Sequence, residues 1–263
     1  MERSMRGIGQ DSVIHCELRG NGMQQHDTIQ IPIPDRQAAG RALVPLLAAY
    51  RGRPDAIVLA LPRGGVPVAY EIATALDLRL DLMPVRKLGV PFHEELAMGA
   101  IASGGVWYLN TDVVNLHGID GPTLDAAAER ELKELRRREQ VYRGDRPLPD
   151  LHGQQVILVD DGLATGASMQ AAVKAVRDRG ATRVIVAVPV APDDTLAELR
   201  EQVDEVVCPF VPQWFTAIGC WYVDFFQVTD QAVIELLQRA WQREQGRRVE
   251  AGEMIDASTS TKH

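Results

Sequence analysis

The sequence predicts an α/β fold, a parallel sheet flanked by helices. Three observations lead there. Apolar runs too short for helices, at 56–61, 80–85, 156–159, 183–190 and 205–208, alternate with segments of helical spacing, the pattern of strands joined by crossover helices. The runs at 56–61, 156–159 and 183–190 lack polar alternation within them, so they suit strands buried on both faces. The chain has 263 residues, 46% hydrophobic and 24% charged, enough for one large domain without a disorder signature.

Residues 1–33 are weakly patterned, with Gly20, Gly22 and Pro32, and read as a leader or an added edge strand near 28–33. His15 and Cys16 adjoin there without spaced metal-ligand partners, so their pairing is read as chance. Residues 35–50 place Ala39, Ala42, Leu46 and Tyr50 on one helical face, and Pro45 predicts a kink or a second helix start. The strand 56–61 runs into Pro62-Arg63-Gly64-Gly65 and then a helix over 66–76. After the strand 80–85 comes Arg86-Lys87-Leu88-Gly89-Val90-Pro91, where Gly89 and Pro91 predict a loop, and His93, Glu94 and Glu95 read as solvated. A short strand over 106–109 and a long helix over 123–142 follow. Glu129–Lys133 and Glu134–Arg138 are supporting i,i+4 pairs on that helix, and Arg136-Arg137-Arg138 is a solvated basic face. Pro147 and Pro149 link this insertion, a lid-side subdomain, to the strand 156–159.

That strand opens the stretch that organises the chain, Val156-Ile157-Leu158-Val159-Asp160-Asp161-Gly162-Leu163-Ala164-Thr165-Gly166-Ala167-Ser168. An apolar strand ends in two carboxylates, a glycine turn follows, and a helix over 169–179 stops at Gly180. A glycine turn opening a helix offers backbone N–H groups and the positive dipole end to a phosphate, and Thr165 and Ser168 add hydroxyls. Asp160 and Asp161 accept hydrogen bonds when ionised and would repel that phosphate, so they suit ribose hydroxyls at the other side of the ligand. The loop reads as a pentose phosphate cradle. It lacks the Gly-Lys-Ser/Thr of a Walker loop.

A strand over 183–190, a helix over 194–202 and a strand over 205–208 continue the alternation, with right-handed crossovers expected. Residues 212–225 are aromatic-rich, Asp230 caps a last helix to about 245, and 246–263 reads as a disordered tail. The domain is therefore placed at 35–245. Net charge −8 and a pI near 5.3 argue against nonspecific nucleic-acid binding. Cys16, Cys208 and Cys220 form no CxxC pair, which predicts structural thiols in a reducing cytoplasm. No apolar run reaches membrane-spanning length and no signal-peptide core is expected, so no membrane partner is expected.

The stretch 156–168 resembles the 5-phosphoribosyl 1-pyrophosphate (PRPP) motif of type I phosphoribosyltransferases: apolar strand, two acids, Gly-x-x-Thr-Gly, small hydroxyl residue. The resemblance covers about 35–230 and implies a Rossmann-like sheet with a hood or lid over its carboxyl edge. It implies that Gly162, Leu163, Ala164, Thr165, Gly166, Ala167 and Ser168 hold the 5-phosphate and that Asp160 and Asp161 are catalytic through the ribose. Arg63, Gly64 and Gly65 resemble the pyrophosphate loop, and Arg86 and Lys87 a mobile lid over pyrophosphate with Lys87 as its catalytic cation, both most like adenine phosphoribosyltransferases. Pro212-Gln213-Trp214-Phe215 through Asp224 is similar to the base-binding segment of 6-oxopurine enzymes, implying Phe215 as a stacking platform and Asp224 as a water-mediated Mg²⁺ contact. The spacing there is one residue longer, and Ala164 stands where 6-oxopurine enzymes carry an acid. The implied activity is transfer from PRPP to an unidentified small-molecule acceptor, such as a purine-like base, with Mg²⁺ as cofactor and pyrophosphate released. The resemblance leaves room for a homodimer. Two alternatives keep the PRPP loop or the fold: a nucleotide sensor that binds RNA, which the acidic charge disfavours, and a partner-binding domain that has lost the ligand.

Overall fold

The computed structural model describes residues 24–26, 29–91 and 93–260, so the expectations for His15 and Cys16 lie outside the described residues. Two short strands, β1 (Gln24–His26) and β2 (Ile29–Ile31), pair antiparallel. Helix α1 (Arg36–Leu43) begins at Asp35, whose carboxylate caps the Ala38 N–H, and Pro45 ends it by opening a 3₁₀ turn over Pro45–Tyr50.

Strand β3 (Ala56–Ala60) leads into α2 (Gly65–Leu76) and β4 (Arg79–Leu82). An insertion follows: β5 (Val85–Val90), β6 (His93–Ala102), β7 (Val106–Leu109), α3 (Thr111–Leu116) and α4 (Gly121–Arg143). The chain then runs β8 (Gln155–Val159), α5 (Ala167–Asp178), β9 (Arg183–Ala187), α6 (Asp193–Arg200), β10 (Glu205–Val207) and α7 (Asp230–Ser260), the last passing well beyond residue 245.

Among the described residues the main sheet is parallel, in the order β10-β9-β8-β3-β4. Its apolar runs are explained by burial on both faces. Val58, Ala60, Ile157, Val159, Ile185 and Ala187 face one core with α1, α2 and α7. Ile57, Leu59, Val156, Leu158, Val184 and Val186 face a second core with α5 and α6.

The segment 86–91, read as a loop, is instead the first strand of an antiparallel hairpin, β5 on β6, with β7 as the third strand. Gly89 marks a register shift in the ladder rather than a turn, a role glycine takes inside strands. Leu88 and Val90 are buried with Met98 and Ile101 against Ala127 and Ala128 of α4, while Ala100 and Ala102 face α5 in the second core. The hood is thus a sheet held between α4 and α5. A buried ion pair, Arg143 Nη1 to Asp81 Oδ1 at 2.5 Å, ties the end of α4 to β4.

Candidate active site

Strand order reverses between β3 and β8: the chain leaves β3 toward β4 on one side and returns at β8 on the other. Open α/β sheets bind ligands at the carboxyl end of such a reversal. Both glycine turns lie there, because Ala60 pairs in register with Val159.

The two acids are crowded. Arg36 Nε donates to Asp161 Oδ2 at 2.7 Å, with both side chains only 11% exposed. The same guanidinium donates to the Phe226 carbonyl at 2.8 Å and lies over the Phe225 ring at 4.0 Å. The Tyr222 hydroxyl donates to the Asp161 carbonyl at 2.6 Å. Asp160 Oδ1 accepts from the Asp161 N–H at 2.8 Å. Burial pushes the Asp160 carboxyl well up from the usual carboxylate range, and the neighbouring Asp161 charge adds to the rise. Asp161 is also raised by burial, against the opposing effect of Arg36. A cationic or hydroxyl-bearing ligand would relieve this pair.

The glycines of the β3 turn make room for it. A Cβ on Gly64 would stand 2.0 Å from Asp161 Oδ2, and one on Gly65 would stand 2.6 Å from the Val159 carbonyl and 2.9 Å from Asp160 Cα. Only hydrogen fits at either position.

In the β8 turn, Leu163 packs into the second core and its N–H bonds the Val190 carbonyl at 3.0 Å. The Thr195 hydroxyl donates to the Ala164 carbonyl at 2.6 Å. Gly166 caps α5 at φ 71°, and a Cβ there would meet Thr195 Cγ2 at 2.8 Å, so both conformation and space require glycine. Gly162 is closed over by Ile218 in the same way, at 2.7 Å. Leu163, Gly162, Gly166 and Ala167 are buried, Ser168 half-buried, and Ala164 and Thr165 exposed. The turn is therefore held from behind, and its solvent side offers the first N–H groups of α5.

The remaining predicted residues are distributed differently. Arg63 Nη1 lies 3.5 Å from Asp230 Oδ1, which also accepts from the Tyr142 hydroxyl at 2.6 Å. Burial and that bond raise the Tyr142 phenol to about 12. Arg86 is engaged by Glu131 of α4 at 2.8 Å. Lys87 lines a cavity of about 570 Å³ with Ser168, Arg86, Arg130 and Glu131, and the lining does not include the Arg63 turn. Phe215 is half-buried against the first core. Asp224 is exposed, and its Oδ1 accepts from the Phe226 N–H at 3.1 Å.

Arg36, Tyr222, Thr195 and Ile218 are contacts that sequence reasoning missed. Nothing local in the sequence marked Arg36 as the partner of a carboxylate 125 positions away. For Mg²⁺, the described residues hold no group of three or more metal-ligating side chains. The two adjacent carboxylates Asp160 and Asp161 nevertheless fit that ion, which takes one or two protein carboxylates and completes its shell with water and phosphate oxygens. Among the described residues no helix is long and apolar enough to cross a membrane.

Known proteins share this sequence pattern and fold. A model of the phosphoribosyl transferase domain matches residues 35–222. A protein of Mycobacterium tuberculosis (strain ATCC 25618 / H37Rv), named provisionally as a phosphoribosyl transferase, is 47% identical over 206 residues, 78% of this chain and 46% of that protein. The chain thus spans about half the length of that relative. The crystal structure of TT1426 from Thermus thermophilus superposes with a TM-score of 0.67 at 44% identity, covering 77% of this chain and 96% of that one.

Proposed function

We propose, from the premise that this chain belongs to the phosphoribosyl transferase domain family, that it transfers the phosphoribosyl group of PRPP to a small-molecule acceptor and releases pyrophosphate. The observation that carries this is the juxtaposition at the sheet's reversal: a crowded acidic pair, a glycine turn with no room for side chains, and a second turn that opens a helix.

In this reading the first turn of α5 and the 162–168 loop hold the 5-phosphate, and Asp160 and Asp161 accept from the ribose hydroxyls. The bond from C1 to the pyrophosphate oxygen breaks and its electrons leave with pyrophosphate. A bond from the acceptor nucleophile, such as a base nitrogen, forms at C1, and the nucleophile's proton passes to the departing pyrophosphate. Positive charge grows on the ribose as the C1 bond breaks, and ionised carboxylates stabilise it. Arg63 and the N–H groups of the Gly64–Gly65 turn receive the leaving group. Mg²⁺, when bound, supplies charge neutralisation on pyrophosphate. Phe215 is assigned to the acceptor side, with a purine-like base as the acceptor class, and Asp224 to a water-mediated contact with Mg²⁺.

The test is thermal unfolding with Mg²⁺ and PRPP, followed by a panel of bases assayed for pyrophosphate release. PRPP at about 100 times its dissociation constant adds roughly 2.7 kcal/mol of stability. An unchanged melting temperature at saturating PRPP would remove the site.

A further inference from the structure

We infer that the hood cations Lys87 and Arg130 belong to the 5-phosphate end of the ligand, not to pyrophosphate; this rests on the function proposed above. Lys87 on β5 and Arg130 on α4 line one cavity with Ser168, the second residue of α5, and that cavity is large enough for a phosphate ester at about 570 Å³. Glu131 fixes the charge pattern around it. Its Oε2 takes Arg86 at 2.8 Å and its Oε1 takes Arg130 Nε at 3.3 Å, so one carboxylate serves two guanidinium groups. Lys87 is exposed and has no ion-pair partner among the described residues. Three cations and one carboxylate therefore line the cavity together with Ser168, in the first turn of α5, where the helix N–H groups suit an anion.

The hood's packing leads to the same assignment. Ala100 and Ala102 of β6 sit in the core that contains Met169, Ala172, Val173 and Val176 of α5. This fixes the sheet that carries Lys87 upon the helix that begins at the phosphate turn. Arg63 is directed elsewhere, to Asp230 at the start of α7. The two ends of PRPP would thus have separate cation sets: Arg63 for the pyrophosphate, and Lys87 with Arg130 for the 5-phosphate. A phosphate monoester, dianionic near neutral pH, matches a lysine point charge and a guanidinium fork.

Ribose 5-phosphate and pyrophosphate are separate probes of the two ends, and calorimetry with each, in Mg²⁺, tests the assignment. Lys87→Ala with Arg130→Ala weakens ribose 5-phosphate about tenfold or more, the scale of a charge-assisted hydrogen bond. Pyrophosphate affinity stays within about twofold, the scale of a distant exposed charge. Lys87→Arg retains most of the ribose 5-phosphate affinity. Arg136→Ala, on an exposed position of α4, changes neither and controls for general charge loss. Both substituted side chains are exposed, so melting temperatures report whether the fold is kept. If the double variant loses pyrophosphate affinity instead, or loses neither ligand, the assignment is overturned while the function stands. If the unmodified protein binds neither PRPP nor ribose 5-phosphate, the function fails and the assignment falls with it.

Discussion

The two turns at the sheet's reversal solve opposite problems. The β8 turn concentrates charge: Asp160 and Asp161 follow Val159 directly, and burial raises both carboxyls. The β3 turn removes bulk: Gly64 and Gly65 present hydrogens where any side chain would overlap those acids. Neither turn supplies the counter-charge. That comes from Arg36 at the start of α1, held by Phe225 and the Phe226 carbonyl of the segment before α7. A charged site in this fold is therefore a three-part construction, with one element for the acids, one for space and one for neutralisation.

Removing the neutralising part has the largest effect. Arg36→Met leaves Asp161 buried without its partner, and losing one member of a buried pair costs about 3–5 kcal/mol. Urea unfolding at neutral pH measures it. Adding Asp161→Asn recovers much of the loss; no recovery would mean that Arg36 acts through its Phe225 and Phe226 contacts rather than through charge.

Next come the acids themselves. If they hold ribose as proposed, Asp160→Asn and Asp161→Asn each remove a charge-assisted bond, about 1.5–3 kcal/mol apiece, which lowers turnover while the fold is kept. Steady-state pyrophosphate release by the double variant is the readout, and undiminished release would sink the ribose assignment. The spacing part follows. Gly64→Ala overpacks the Asp161 carboxylate and costs about 1–3 kcal/mol. Gly121→Ala, where a Cβ would meet nothing within 4 Å, serves as the comparison. Equal melting temperatures for the two variants would mean that the acids move aside freely.

The smallest effect is on pH dependence. In the folded protein Asp160 and Asp161 hold protons more tightly than in the unfolded chain. Their contribution to stability is complete below the unfolded carboxylate range, near pH ~4, and is lost as pH rises through the folded values. Without ligand, stability from this pair increases as pH falls from neutrality. Carboxylates such as Glu134, held down to about 2 by Arg137 and Arg138, work in the opposite direction. The difference between the protein and Asp160→Asn isolates the acidic pair. Parallel melting-temperature profiles for the two would show that Asp160 titrates normally.

The sequence by itself determined the parallel sheet, because strands buried on both faces must be continuously apolar, and the runs through 56–61 and 156–159 are. The turn that joins this strand to α5 was legible as well, because the acids, Gly162, Thr165, Gly166 and Ser168 are contiguous and the turn's conformation is local. The tertiary structure decided the hood. Gly89 and Pro91 read as loop punctuation, yet pairing with β6 and burial of Leu88 and Val90 under α4 make this segment a strand. Only the fold decided the partners of the charges as well: Arg36 with Asp161, Arg63 with Asp230, and Lys87 beside Ser168. Local spacing cannot encode such partners. They are set by which strand lies next to which in the sheet and by which helix packs on which face, and those choices are made by burial across the whole domain.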